Sequence, residues 1–174
     1  LGGAILAINT QNKDEVTVKW KGRTRAIGTR EYAIRLQYRI GDQVNFTDLL
    51  NESNQVIEYN RGVVGDSAVF EVKLPVSLLN QPYIQLLWRY YRKAGTSGSR
   101  DELGVDDIIV ESKRVLSGTT TAGVSTVNDG VLFSTASVAS TSNVLYEAKR
   151  FIELNPGFNT SLGAVFQAQI KGCP

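Results

Sequence analysis

The chain alternates. From residue 15 to 20 (EVTVKW), Val16, Val18 and Trp20 fall on one side and Thr17 and Lys19 on the other, the period of a half-buried strand. From 31 to 40 (EYAIRLQYRI) the pattern returns. Tyr32, Ile34, Leu36, Tyr38 and Ile40 share one face, and Arg35, Gln37 and Arg39 share the other. Residues 84–91 repeat it, with Ile84, Leu86, Trp88 and Tyr90 against Gln85, Leu87, Arg89 and Tyr91. Residues 68–74 (AVFEVKL) alternate as well, until Pro75, which cannot donate to a strand ladder. Shorter runs at 4–8, 46–50, 56–59 and 105–110 predict further strands, and 77–81 a single helical turn. Residues 21–29 are polar and basic and read as an exposed connection, and 95–100 (GTSGSR) as a loop. Many short strands without a useful amphipathic helix predict an all-β fold with an antiparallel β-sandwich over residues 1–116.

At Ser117 the texture changes. SGTTTA is small and polar, which makes 117–123 the expected linker. Beyond it, residues 131–136, 144–148 and 165–168 each place an aliphatic residue, then an aromatic one, then alanine, a weak repeat of uneven period. Units that cannot bury a face alone stack, so 124–174 is expected to be a small pile of β rungs. Asn155-Pro156-Gly157-Phe158 suits a turn between rungs, with Phe158 folding back as a cap.

Two blocks carry resemblances. Ala148, Ile152, Leu154, Pro156, Gly157, Phe158, Gly163, Phe166, Ala168, Ile170 and Cys173 are spaced so that residues 147–173 resemble the three-coathanger stack domain of Bacteroidota surface proteins. The segments RLQYRIG (35–41), Leu74-Pro75, LWRYY (87–91) and VDDI (105–108) make residues 14–112 similar to the jelly-roll domain of large exported bacterial proteins. The resemblances imply a signal peptide, export often by the type IX route, and an extracellular or cell-surface location.

Composition narrows the chemistry. The chain of 174 residues has 42% hydrophobic residues, enough for a core. Its 19 basic and 17 acidic residues leave a net charge of +2, too balanced to argue for a specific nucleic acid partner. No apolar run is long enough for a membrane-spanning helix. Histidine is absent, which removes the commonest general base and transition-metal ligand. The single cysteine, Cys173, forbids an internal disulfide and suits either a bond to a neighbouring copy or a small buried end-cap. The start, LGGAILAINT, fits a trimmed chain or a mature fragment whose leader was removed.

Four candidate sites emerge. Asp101, Glu102, Asp106 and Asp107 are hard oxygen ligands close in sequence and would suit calcium, the one cofactor suggested; the bland alternative is a solvated loop capping a strand end. Trp88, Tyr90 and Tyr91 offer flat rings to a sugar, against the more ordinary reading of a core tryptophan with flanking tyrosines. Strict alternation keeps Tyr90 and Tyr91 off one face, so such a platform needs a loop contribution. Lys19, Lys21, Arg23, Arg25 and Arg30 form a basic stretch that would meet a polyanion, or be cancelled by neighbouring acids. Ala4, Ile5, Leu6, Ala7 and Ile8 would lend a strand to another copy, with Cys173 as a second self-assembly residue. Asn45, Asn51 and Asn159 head Asn-x-Ser/Thr triplets, glycan acceptors in a eukaryotic secreted protein and of little meaning in a bacterial one.

No nucleophile–base pair is apparent. Paired carboxylates such as Asp101 and Asp106 would suit glycosidase chemistry, but they sit on one predicted loop with no cleft implied. The expected function is a non-catalytic structural or adhesive module of a bacterial surface protein, assembling with copies of itself or docking on neighbouring domains, with fibres as one outcome. The alternative is a carbohydrate-binding module attached to a secreted enzyme, with surface glycans as partners.

Overall fold

A computed structural model describes residues 2–120 and 123–172, all but Val124 with their side chains. It is all-β apart from one 3-10 turn, Val76–Leu78. The described residues form two compact units, one of residues 2–11 and 17–110, the other of 12–16 and 111–172. The expected linker, 117–123, therefore lies inside the second unit, between the end of one strand at Leu116 and the start of the next at Gly123.

The first unit is a sandwich of antiparallel sheets. One sheet runs β1 (Gly2–Ile8), β7 (Ile84–Ala94), β3 (Glu31–Ile40), β4 (Thr47–Asp48), with β5 (Glu58–Asn60) also on β3. The other contains β6 (Ser67–Lys73), β2 (Glu15–Ala26) and β8 (Glu102–Leu116) side by side. Most inward positions are those the alternation predicts, but Ile40 is 41% exposed and Gln37, on the polar face, is buried. Val18, Trp20, Ile34, Leu36, Ile84, Leu86 and Trp88 are each at most 2% exposed. Trp20 of β2 meets Trp88 of β7 edge-on at 6.4 Å and stacks on Phe70 at 4.4 Å, which ties the two layers together.

Two strands are longer than expected. The polar stretch after Trp20 is not a connection: β2 continues to Ala26, and Lys21, Gly22 and Arg23 pair with Val69, Ala68 and Ser67 of β6. Charged residues mislead here because they occupy the outward positions while Gly22 and Thr24 take the buried ones. Gly22 is required sterically. A Cβ there would stand 2.4 Å from the Tyr59 ring, whose hydroxyl bonds Thr24 Oγ1 at 2.8 Å. Likewise β8 covers fifteen residues, so Asp106 and Asp107 lie within a strand rather than at its start.

The second unit is a stack of parallel rungs. β9 (Gly123–Ser134), β11 (Ser142–Leu154) and β13 (Val165–Ile170) lie side by side, with β11 in the middle. The end of β8 adds Lys113 to Leu116 beside Val131 to Ser134, and β10 (Ser137–Val138) pairs with β12 (Asn159–Thr160). Leu132, Val138, Val144, Tyr146 and Ala148 form the core, with Phe158 and Phe166 packed against it. Phe158 folds back as expected, through a turn closed by its amide donating to Asn155 O at 3.0 Å. The rungs stack, but the repeat units do not pair in register. Val144 lies beside Phe166, but Val131 lies beside Phe151 rather than Val144. A sequence repeat built on aromatic spacing misses this because each strand bends between two groups of paired residues, with an irregularity between Ala148 and Phe151.

Candidate functional site: an arginine-lined recess

The outer face of the first sheet is built by the pairing of β3 with β7. Arg35 stands directly across from Arg89, Gln37 from Leu87 and Ala33 from Tyr91. Like charges directly opposite on neighbouring strands repel. Arg35 is answered within the fold. Its Nη1 reaches Asp48 at 2.9 Å, and its Nε and Nη2 reach Glu58 at 3.2 and 3.1 Å. Its guanidinium also lies over the Tyr91 ring, 4.6 Å from the centroid, and donates to the Tyr91 hydroxyl at 2.8 Å. Lys93 adds a bond to Glu58 at 2.9 Å, and the Tyr91 hydroxyl donates to the same carboxylate. Burial would raise the Glu58 carboxyl, but bonds from Tyr91, Lys93 and Arg35 outweigh it and hold it below the usual range. Burial pushes the Tyr91 phenol up, and the neighbouring Glu58 pushes it further.

Arg89 has no such answer. Its nearest hydrogen-bonding contact is Gln37 Oε1 at 3.5 Å, a long one. Beside it opens a recess of about 590 Å³ whose lining includes Arg30, Arg35, Arg89, Arg92 and Arg100, together with Tyr32, Gln37 and Tyr91. Among the described residues, no carboxylate lines it. Among the described residues Arg30, Arg89, Arg92 and Arg100 make no salt bridge, and the Nε of Arg30 is buried without a hydrogen-bond partner.

Local structure brings these arginines together. The β3–β7 register slips between Glu31 and Tyr32, and a bulge of this kind re-aims side chains. Arg92, of opposite parity to Arg89, thereby lines the same recess. The 95–100 loop returns Arg100 to Arg30, which it meets in an isolated parallel bridge. The Thr29 hydroxyl donates to Ser97 O at 3.0 Å, and Gly98 takes φ +91° where a Cβ would stand 2.0 Å from Thr29 Oγ1. Glycine is needed at 98 on both counts.

Asp101, next to Arg100, is a buried anchor. Its carboxylate accepts from the amides of Gly28 and Tyr32 and from Arg61 Nη1, each at 2.8 Å. Burial opposes its charge, yet those three donors hold the carboxyl below the usual range. Asp106 is 2.7 Å from Arg23, and its Oδ1 accepts from the Asp107 amide at 3.0 Å. Asp107 itself sits at φ +50°. Asp101 is thus turned inward, onto Gly28, Tyr32 and Arg61. Among the described residues, Asp101, Glu102, Asp106 and Asp107 included, no three His, Cys, Asp or Glu side chains gather to hold a metal ion.

The aromatic trio is split. Trp88 is 1% exposed and packed between sheets, and with Tyr90, Asp101, Glu102 and Ala4 it lines a second recess of about 540 Å³. Tyr90 stacks on Tyr32 at 4.4 Å and donates to Asp101 O at 2.6 Å. Tyr91 alone turns to the arginine-lined recess. Of the basic stretch, Lys19 and Arg23 pair with Glu71 and Asp106, and Arg30 lines the recess. Ala4, Ile5, Leu6, Ala7 and Ile8 are in β1, paired with Trp88 to Ile84 of β7. Cys173 lies outside the described residues. No helix among the described residues is long and apolar enough to cross a membrane.

The polar faces of β3 and β7 are readable in sequence, but their union is not. The signal was there in two arginine-bearing alternations; what was missing was which strands pair. Compared with known proteins, the chain matches no family model, no curated protein and no solved structure.

Proposed function

We propose that this chain is a non-catalytic structural and adhesive module of an extracellular or cell-surface bacterial protein, and that it assembles with copies of itself or with neighbouring domains through its sheet edges. One observation carries the reading. Strand β1 (GGAILAI) ends the first unit's five-stranded sheet and β13 (VFQAQI) ends the second unit's parallel stack, and neither contains a charged residue or a proline. Edge strands that stay single are ordinarily blunted by charge, proline or bulges. Ile5 is 56% exposed on β1, and Val165 and Ile170 are 56% and 53% exposed on β13. The resemblance of one block to a domain of exported bacterial proteins, and of the other to a domain of Bacteroidota surface proteins, supports the location.

Size-exclusion chromatography with light scattering, beside electron microscopy, tests the assembly. Ordered multimers or filaments that grow with concentration, and that Ile5→Lys abolishes, are expected. A monomer at every concentration would sink the assembly claim.

The second reading, a carbohydrate-binding module attached to a secreted enzyme, draws nothing from Trp88. Its support is the recess, where Tyr91 and a ring of hydrogen-bond donors converge.

A further inference from the structure

We infer that the recess on the outer face of the first sheet is a binding site for an acidic polysaccharide, whose carboxylate or sulfate groups are held by Arg89, Arg92, Arg100 and Arg30. This deepens the carbohydrate-binding reading and rests on it.

Charge is the first argument. Four guanidinium groups without a salt bridge share one concavity, and Arg89 faces Arg35 directly across the strand pair. Asp48 and Glu58 offset Arg35, whereas among the described residues no carboxylate pairs with Arg89, Arg92, Arg100 or Arg30. A guanidinium is a planar fork that matches the two oxygens of a carboxylate or sulfate, and it stays charged at any working pH. On the same face Arg35 already holds a carboxylate, its Nε and Nη2 both donating to one oxygen of Glu58. Arg89, Arg92 and Arg100 are exposed and have no such partner within the described residues.

Size is the second. The recess of about 590 Å³ falls in the range of sites for extended organic ligands, about 300–1,000 Å³, and is far larger than a lone oxyanion fills. Several arginines around one recess suit an anion that repeats along a chain. Tyr91 and the largely buried Gln37 add an aromatic edge and an amide, which a sugar ring can use.

A nucleic acid duplex fits less well. It presents a charge about every 1.7 Å and asks for a long basic track. Here the net charge is +2, and Lys19 and Arg23 of the basic stretch are consumed by Glu71 and Asp106. Asp48 and Glu58 also stand at the β4 and β5 side of the same face, bonded to Arg35.

The test is calorimetric titration of the whole chain with four probes: polygalacturonate, which carries carboxylates alone; dextran sulfate, which carries sulfates alone; neutral dextran; and duplex DNA. Binding of polygalacturonate or dextran sulfate is expected, weakening steadily between about 50 and about 200 mM salt. The one that binds identifies the anion. Arg89→Gln with Arg92→Gln, both at exposed positions, should weaken it about tenfold or more. Lys19→Gln with Lys21→Gln, on a different strand, should change it little. Equal loss in both double variants, or no loss in the arginine variant, would overturn the assignment. So would duplex DNA binding tighter than either polysaccharide. Neutral dextran bound with both acidic probes ignored would overturn this inference while leaving the carbohydrate-binding reading standing. Silence with all four probes would remove both.

Discussion

Asp101 and the arginine recess are neighbours in the first unit with opposite electrostatics. Asp101 is a buried anion whose oxygens are answered by two backbone amides and Arg61. The recess gathers the exposed Arg89, Arg92 and Arg100 with the half-buried Arg30 and Arg35, and no carboxylate is among its described lining residues. The first arrangement is what a fold requires, since an unanswered buried charge costs several kcal/mol. The second is unnecessary for folding. Charge that serves structure is satisfied inside the chain, and charge left over is available to something else.

The largest expected effect comes from breaking the satisfied side. Asp101→Ala should cost about 3–5 kcal/mol, because it strands the amides of Gly28 and Tyr32 and leaves Arg61 beside a buried gap. Urea denaturation would read this directly, and a loss under about 1 kcal/mol would mean that the anchor is ornamental.

Acid should erode the same anchor. The Asp101 carboxyl titrates below its usual value in the folded chain. Its contribution is therefore complete above the unfolded value, about 3.9, and is lost as pH falls through the lower folded value. The stability gap between the parent and Asp101→Asn should narrow below about pH 4 and stay constant between about pH 5 and 8. A gap that held its size into strong acid would contradict the assigned proton.

Arg35→Ala should cost less, about 1–2 kcal/mol, since Arg35 is partly exposed and Lys93 and Tyr91 still bond Glu58. Arg89→Gln, one strand away, should leave stability within about 0.5 kcal/mol of the parent, or slightly raised, by relieving its repulsion with Arg35. Equal losses from Arg35→Ala and Arg89→Gln in thermal melts would erase the distinction between them.

Alternation carried much of the fold into view. The period of two places Ile34, Leu36, Ile84, Leu86 and Trp88 in the core, where they lie, and fails at Ile40, which is exposed at the end of β3. Two things escaped. Strand length was hidden where charged side chains alternate with Gly22 and Thr24, because outward charges look like a loop when the buried partners are small. The recess was hidden because it depends on long-range pairing. Arg35 and Arg89 are far apart in sequence, and only the β3–β7 register sets them opposite. Arg100 arrives through a loop tied back to Thr29 and Arg30, a hydrogen-bond pattern that no local rule encodes. The acidic run at 101–107 misled in the other direction, since proximity in sequence says nothing of side chains that alternate along a strand.

The parallel stack of the second unit has one further consequence, for how it opens. β11 is hydrogen-bonded on both sides, to β9 and to β13, whereas β13 is held only by β11. Local opening draws on the least-held strand first. In hydrogen–deuterium exchange the amides of residues 165–170 should therefore exchange before those of 142–148, with Phe166 leaving its contact with Tyr146 as the ladder peels from that end. A binding partner that extended the stack past β13 would be read in the same experiment as slowed exchange there.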